Sequence, residues 1–227
     1  MTVEAQRAAA AEAAVNEVRA GMLVGLGTGR TAAFAVQALA RRVKEGLRVE
    51  CVATSVTTER LGLSLGLRVI PFETVSRVDL TIDGADEIDP RFRAIKGGGG
   101  ALLREKVVAA ASDRMLIVVD GSKIVERLGV FPLPTEVLPF AEAWVMRALT
   151  ELGAAATRRT LEGGTPFRTD QQNLIVDAAF GSIDDAADLA ARLGSIPGIV
   201  EHGLFVDEID EVFVGRDGSV ERRTKLR

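Results

Sequence analysis

Asp83-Gly84-Ala85-Asp86-Glu87-Ile88-Asp89-Pro90 places four carboxylates within seven positions, and Lys96-Gly97-Gly98-Gly99-Gly100 follows close behind. Acids at this density suit metal binding, although the spacing is not that of a calcium EF-hand loop. The plain alternative is a solvated acidic turn. The glycine run weighs against it. Consecutive glycines are costly to order, and a turn does not need so many. They suit backbone lying close to a ligand, immediately before a helix N-terminus. Glu105 falls within the second turn of that helix. Read alone, it is an exposed charge beside Arg104 and Lys106.

A second glycine loop, Gly25-Leu26-Gly27-Thr28-Gly29-Arg30-Thr31, has the makings of a phosphate cradle. Glycines let amide N–H groups approach an anion, Thr28 and Thr31 add hydroxyls, and the following helix points its positive end at the ligand. It equally fits an ordinary strand-to-helix turn. It is a poor dinucleotide fingerprint, because Arg30 stands where a third glycine belongs and the next strand ends in Ala53-Thr54 rather than an acid. Nor is it a nucleoside-triphosphate P-loop, since no Gly-Lys-Ser/Thr follows. Only five lysines occur, and two of them, Lys96 and Lys123 of Asp120-Gly121-Ser122-Lys123, fall where cations would hold an anionic substrate.

These segments must be positioned by regular elements. The first half alternates short apolar runs (22–26, 49–53, 68–70, 78–82, 115–119) with helical patterns (8–18, 31–43, 57–65, 101–111). That alternation predicts an α/β fold, a Rossmann-like and mostly parallel sheet with helices on both faces. Ligands bind such sheets beyond the carboxyl ends of the strands, where the Gly25–Thr31 loop, Thr54-Ser55, Asp83–Asp86 and Asp120–Lys123 would lie along one rim. Pro132, Pro134 and Pro139 suggest a linker. Beyond it, helices at 140–152 and 184–193 and strands at 154–159, 173–178 and 199–205 predict a small α+β, ferredoxin-like domain in the order β-α-β-β-α-β. Trp144 and Leu149 are expected on its core face. A terminal hairpin (211–214 and 219–222) is expected to return to the first domain. The expected boundaries are therefore 1–130 with 207–227, and 131–206.

The 227 residues carry 28 basic and 32 acidic side chains, so wholesale electrostatic binding to nucleic acid is not expected. No apolar run is long enough to span a bilayer, and the N-terminus does not read as a secretory signal, so no membrane partner and a cytoplasmic location are expected. One cysteine, Cys51, and one histidine, His202, exclude a disulfide framework and any zinc site needing two histidines; both read as structural. Arginine outnumbers lysine 23 to 5, with only two Asn and four Gln. Such scarcity of amides suggests a thermophile source, while alanine and arginine enrichment also follows from genomic base composition. Cooperative melting above about 60 °C is then expected, and a lower midpoint would contradict it.

With these motifs in place, the chain closely resembles the A-type ribose-5-phosphate isomerases, nearly end to end. The resemblance rests on Gly25–Gly29, Thr54-Ser55, Asp83–Glu87, residues 96–106 and Asp120–Lys123. Arg30 departs from it, since that family usually has a small hydroxyl residue there. The resemblance implies interconversion of D-ribose 5-phosphate and D-ribulose 5-phosphate in the pentose phosphate pathway, through an enediolate and with no metal or organic cofactor. Glu105 is the implied base. Asp83, Asp86 and Lys96 are implied in ring opening and at the sugar oxygens. Thr28, Gly29, Arg30, Thr31, Gly84, Ala85, Gly97, Gly98, Gly99 and Lys123 are the implied substrate contacts. A homo-oligomer, dimer or dimer of dimers, is also implied. A glutamate is ionised at neutral pH, and acidic neighbours with exclusion of water would strengthen it as a base. Other readings are a sugar-phosphate deaminase or CoA transferase on a related fold, or a sugar-phosphate sensor. The sensor lacks room for a helix-turn-helix ahead of the first strand.

Overall fold

Thr2 sets the start of the first helix, where its side chain accepts from the Ala5 amide. In this computed structural model, which describes residues 1–225, α1 therefore runs Val3–Val15, earlier than the 8–18 read from sequence. β1 (Leu23–Leu26), α2 (Arg30–Lys44), β2 (Glu50–Ala53), α3 (Val56–Ser64) and β3 (Leu80–Asp83) follow the expected alternation. Ser55 caps α3 by accepting from the Thr58 amide. The run at 68–70 contributes a single bridge from Val69 to Cys51, and Pro71 ends it. Next come β4 (Glu87–Ile88), β5 (Ala94–Ile95), α4 (Leu102–Ala110) and β6 (Met115–Asp120). The remainder is β7 (Leu133–Val137), α5 (Glu142–Glu151), β8 (Ala155–Arg158), β9 (Leu174–Ala179), α6 (Ala186–Gly194), β10 (Ile199–His202), β11 (Leu204–Phe205), β12 (Glu211–Arg216) and β13 (Ser219–Thr224).

The chain forms two compact units. The first comprises Met1–Ala85, Arg104–Ile124 and the segment from Glu208 onward. Its sheet has the order β13-β12-β6-β3-β1-β2, parallel throughout except for β13. The strands are short apolar runs because both faces are covered. Val24, Leu26, Cys51, Leu80, Ile82, Leu116 and Val118 pack with α1 and α2 on one side. Val52 and Val78 meet Val108 of α4 on the other. Each large aliphatic side chain buried this way contributes about 1.5–3 kcal/mol. The terminal hairpin is present, with β12 parallel to β6. Leu226 and Arg227, the end of the expected 207–227 segment, lie outside the described residues.

The second unit comprises Asp86–Leu103 and Val125–Asp207. Its four-stranded antiparallel sheet, β10-β7-β9-β8, carries α5 and α6 in the order β7-α5-β8-β9-α6-β10, as expected for a ferredoxin-like arrangement. Two features differ from the sequence reading. The proline-rich stretch is not a linker: β7 is buried along its whole length. Pro134 is tolerated because its carbonyl still accepts from the Gly203 amide, while the Gly203 carbonyl opposite accepts from the Lys96 amide and is not left waiting for the missing N–H. Residues 86–103 also pack with this unit, not with the first domain. β4 and β5 form a hairpin that pairs with β11, and the Glu87 carboxylate accepts from the amides of Gly129 (2.7 Å) and Phe131 (2.6 Å). Trp144 is half exposed, its indole N–H donating to Pro197 O, while Val145, Ala148 and Leu149 form the inner face of α5. Among the described residues no helix is long and apolar enough to cross a membrane.

Candidate functional site

In the first unit the chain leaves β1 toward β2 on one side, then crosses back to β3 on the other. Such a reversal marks the usual ligand site of open α/β sheets, at the carboxyl ends of the strands on either side of it, here β1 and β3. The β1 loop and the Asp83-Gly84 turn meet there. Asp83 is fully buried, and its Oδ1 accepts from the amides of Thr28 (3.0 Å) and Gly84 (2.7 Å). That approach demands glycine at position 27, where a Cβ would fall 2.1 Å from Asp83 Oδ1 and 2.6 Å from its Cα. Thr31 lies close to Gly84, and Ala85 is half-buried beyond it.

The Thr28 hydroxyl turns into a cluster with Thr54 (2.7 Å), Ser55 (2.8 Å) and Thr58 (3.2 Å). Thr58 in turn donates to Gly27 O, and Thr54 to Leu26 O. These hydroxyls tie the loop to the start of α3. Gly29 is the N-cap of α2 at φ +103°, a conformation that favours glycine, and it offers no side chain to the helix amides. Arg30, the first helical residue, is exposed and makes no ion pair among the described residues.

At the end of β6, Asp120 is buried and accepts from Arg7 Nε (2.7 Å), the Ser122 amide (3.0 Å) and the Ser122 hydroxyl. Burial alone would raise its pKa, but these hydrogen bonds and the Arg7 charge hold it below the ordinary carboxylate value. Lys123 is half-buried in the short turn that follows. Arg7 carries no sequence signal for this role, since α1 precedes Asp120 by more than a hundred residues. A carboxyl with a depressed folded value contributes stability above its unfolded pKa and loses it as pH falls through the folded one. Asp120→Asn is therefore expected to cost about 3 kcal/mol at pH 7, the scale for breaking a buried ion pair. Urea melts should show that gap closing below about pH 4. An undiminished gap at pH 3 would contradict the assignment.

Glu105 lies in the first turn of α4 and is only 3 % exposed, whereas Val107 two positions on is half exposed. The sequence reading of an isolated exposed charge is thus reversed: here the acid is inside and the aliphatic side chain outside.

In the second unit the other three carboxylates of the acidic motif part ways. Glu87 holds the backbone of Gly129 and Phe131, and Asp89 is a turn acid accepting from the amides of Arg91 and Arg93 and from Arg93 Nε. Asp86 is turned to the glycine run, where its Oδ2 accepts from the Gly98 amide at 2.8 Å. Gly97 has φ +102° and Gly100 φ +79°, and the Gly100 amide closes the loop on Gly97 O. Lys96 is 2 % exposed, its ammonium 5.3 Å from the Phe205 ring centroid. A buried ammonium over an aromatic face is a held charge rather than a solvated one. Gly99 is exposed. Among the described residues, no three His, Cys, Asp or Glu side chains group as metal ligands.

His202 is buried, its Nδ1 accepting from the Leu204 amide. Cys51 is buried in the sheet, and that burial, with Glu50 nearby, pushes its thiol up to about 12.

Comparison with known proteins narrows the reading. A family model, "Ribose 5-phosphate isomerase A (phosphoriboisomerase A)", matches residues 50–219. The ribose-5-phosphate isomerase A of Sphingopyxis alaskensis is 57 % identical over 96 % of both chains. That of Thermomicrobium roseum is 46 % identical over 97 % of this chain and 94 % of its own. Among solved structures, the Methanocaldococcus jannaschii ribose 5-phosphate isomerase A superposes with a TM-score of 0.94 at 38 % identity, covering 99 % of this chain and all of the other. A D-ribose-5-phosphate isomerase in complex with phospho-erythronic acid superposes with a TM-score of 0.95 at 34 % identity, with the same coverage. Fold and comparisons together define an isomerase built on an α/β sheet. The chain belongs to the ribose 5-phosphate isomerase A family.

Proposed function

We propose that this chain interconverts D-ribose 5-phosphate and D-ribulose 5-phosphate through an enediolate, with Glu105 as the base and without a metal or organic cofactor. The carrying observation is the burial of the Glu105 carboxylate at 3 % exposure, on the same face of α4 as the buried Leu102, Val108 and Ala109. Glu105 takes the proton from C2 of the open-chain aldose as O1 gains one. It then returns the proton to C1 while O2 loses one. Lys96 stabilises charge developing on the enediolate oxygen. Asp83 and Asp86 serve ring opening and the proton exchanges at oxygen. Asp83 is suited to this by its fixed position on two amides.

Substrate phosphate carries charge that these acids repel, so it needs its own subsite. The uncapped first turn of α2, with Gly29, Arg30 and Thr31, supplies amides and a guanidinium. Thr28 contributes by holding the loop to its hydroxyl cluster. Lys123, Gly84, Ala85, Gly97, Gly98 and Gly99 complete the proposed contacts. Arg30→Ala is expected to raise KM for the phosphosugar about tenfold with kcat little changed, the loss of one charge-assisted hydrogen bond. An unchanged KM would show that the side chain points elsewhere.

The same resemblance carries a place in the pentose phosphate pathway and a homo-oligomer, dimer or dimer of dimers; the cytoplasmic location is proposed from the sequence expectation above. The test of the function is a coupled isomerase assay on ribose 5-phosphate with purified, chelator-treated protein. Turnover is expected. No turnover would reject the activity, and turnover restored only by added divalent metal would reject the metal-free mechanism.

A further inference from the structure

The glycine loop of the second unit is gripped from a distant strand. Arg159, just beyond β8, continues the pairing with β9 through its amide to Ile175 O (2.8 Å). Its guanidinium forms a two-pronged ion pair with Asp177 of β9, with Nε 2.9 Å from Oδ2 and the terminal nitrogen 2.5 Å from Oδ1. The remaining nitrogen, Nη1, donates to the carbonyls of Gly97 (2.9 Å) and Gly98 (3.2 Å). The same guanidinium sits 5.8 Å from the Phe167 ring centroid, and the Phe167 amide donates to Arg159 O. Phe167 presses on the end of the loop, since a Cβ at Gly100 would fall 2.4 Å from its Cζ.

We propose that Arg159 is a positioning residue for the isomerisation, acting through the Gly97–Gly98 peptide on Asp86. The inference rests on the role proposed above for Asp86. In a trans peptide the C=O and N–H point to opposite sides of one rigid plane. The Gly97 carbonyl is held by Arg159, and the N–H of that same plane is the donor to Asp86 Oδ2. Fixing one end of the plane fixes the other, so the guanidinium sets the direction of the hydrogen bond that orients the carboxylate. The next plane follows the same rule. Its carbonyl, that of Gly98, is drawn to Arg159, so the Gly99 N–H is directed away from the guanidinium. Glycines would otherwise sample many conformations at both planes. Asp177 matters because a planar guanidinium bound at two points is locked in orientation. A lysine at 159 reaches a carbonyl but cannot also make that pair.

The test is steady-state kinetics and amide hydrogen exchange on Arg159→Met, Arg159→Lys and Asp177→Asn, alongside the unaltered protein. Arg159→Met is expected to lower kcat at least tenfold with KM changed less than threefold. Exchange at the amides of 98–100 should accelerate at least tenfold, while β9 stays protected. Arg159→Lys and Asp177→Asn are expected to fall between this variant and the unaltered protein on both readouts. Should Arg159→Met fail to fold, those two variants decide. Unaltered kcat and unaltered exchange at 98–100 in the folded variants would overturn the proposal, as would a change in KM alone. If the unaltered protein lacks isomerase activity, the proposed function fails. The catalytic role of Arg159 then fails with it, and exchange would report on the grip alone.

Discussion

Glu105→Gln is expected to lower kcat by two to four orders of magnitude, about the span attributed to a positioned acid–base group. The substitution is nearly isosteric. It keeps the buried volume in the first turn of α4 and removes only the capacity to accept and return a carbon-bound proton. Binding should survive, so KM is expected to change far less than kcat, the pattern for an interaction needed mainly in the transition state. The thermal midpoint should stay near that of the unaltered protein, because the side chain is replaced and not deleted. Solvent-derived hydrogen should also stop exchanging into the sugar, a readout independent of the coupling enzymes. Near-normal turnover would take the base assignment away from Glu105 while leaving family membership intact.

Gly27→Ala is expected to produce the second large effect, and for a different reason. The added methyl would overlap both the carboxylate and the Cα of Asp83, so the β1 loop and the end of β3 must separate. Backbone cannot rotate out of the way as a side-chain end can. Overpacking of this kind costs about 1–3 kcal/mol of stability. The functional cost is larger. A shift near 1 Å in a reacting group costs about a hundredfold in rate, and the hydrogen bond from the Thr28 amide to Asp83 would be lost as well. We expect kcat/KM to fall about a hundredfold or more in a protein that still folds and still melts cooperatively. A variant with full activity would show that Asp83 need not be held by this loop.

The two expectations differ in how far the chain announced them. Gly27 and Asp83 stand out as types, a glycine at a strand end and an acid beside a glycine, and the strand alternation placed both at one end of a parallel sheet. Their contact became evident only once β1 and β3 were neighbours. For Glu105 the local text was misleading, since flanking basic residues made a solvated charge the natural reading. By type and spacing the four acids from Asp83 to Asp89 look equivalent, and only the family resemblance singles out Asp83 and Asp86. Folding gives each its own backbone partners, Thr28 and Gly84 for Asp83, Gly98 for Asp86, Gly129 and Phe131 for Glu87, Arg91 and Arg93 for Asp89. Arg158 and Arg159 are adjacent and chemically identical. One pairs with Glu142 on the surface, whereas the other grips a loop some sixty residues away.

The buried strand at 133–137 was hidden by prolines, because proline reports only what a residue cannot donate and not whether a donor is needed there. Trp144 was read as core from helical spacing, yet α5 turns Val145, Ala148 and Leu149 inward and leaves the indole half exposed.

Residue order alone determined the fold class, the strand-end loops and the resemblance to the family, because hydrophobic periodicity, glycine and proline act locally and survive translation into a string. Burial, partner choice and the fate of each charge came only with the folded chain. They depend on which distant segments become neighbours, and an acid in water differs from an acid held by two amides only through what surrounds it.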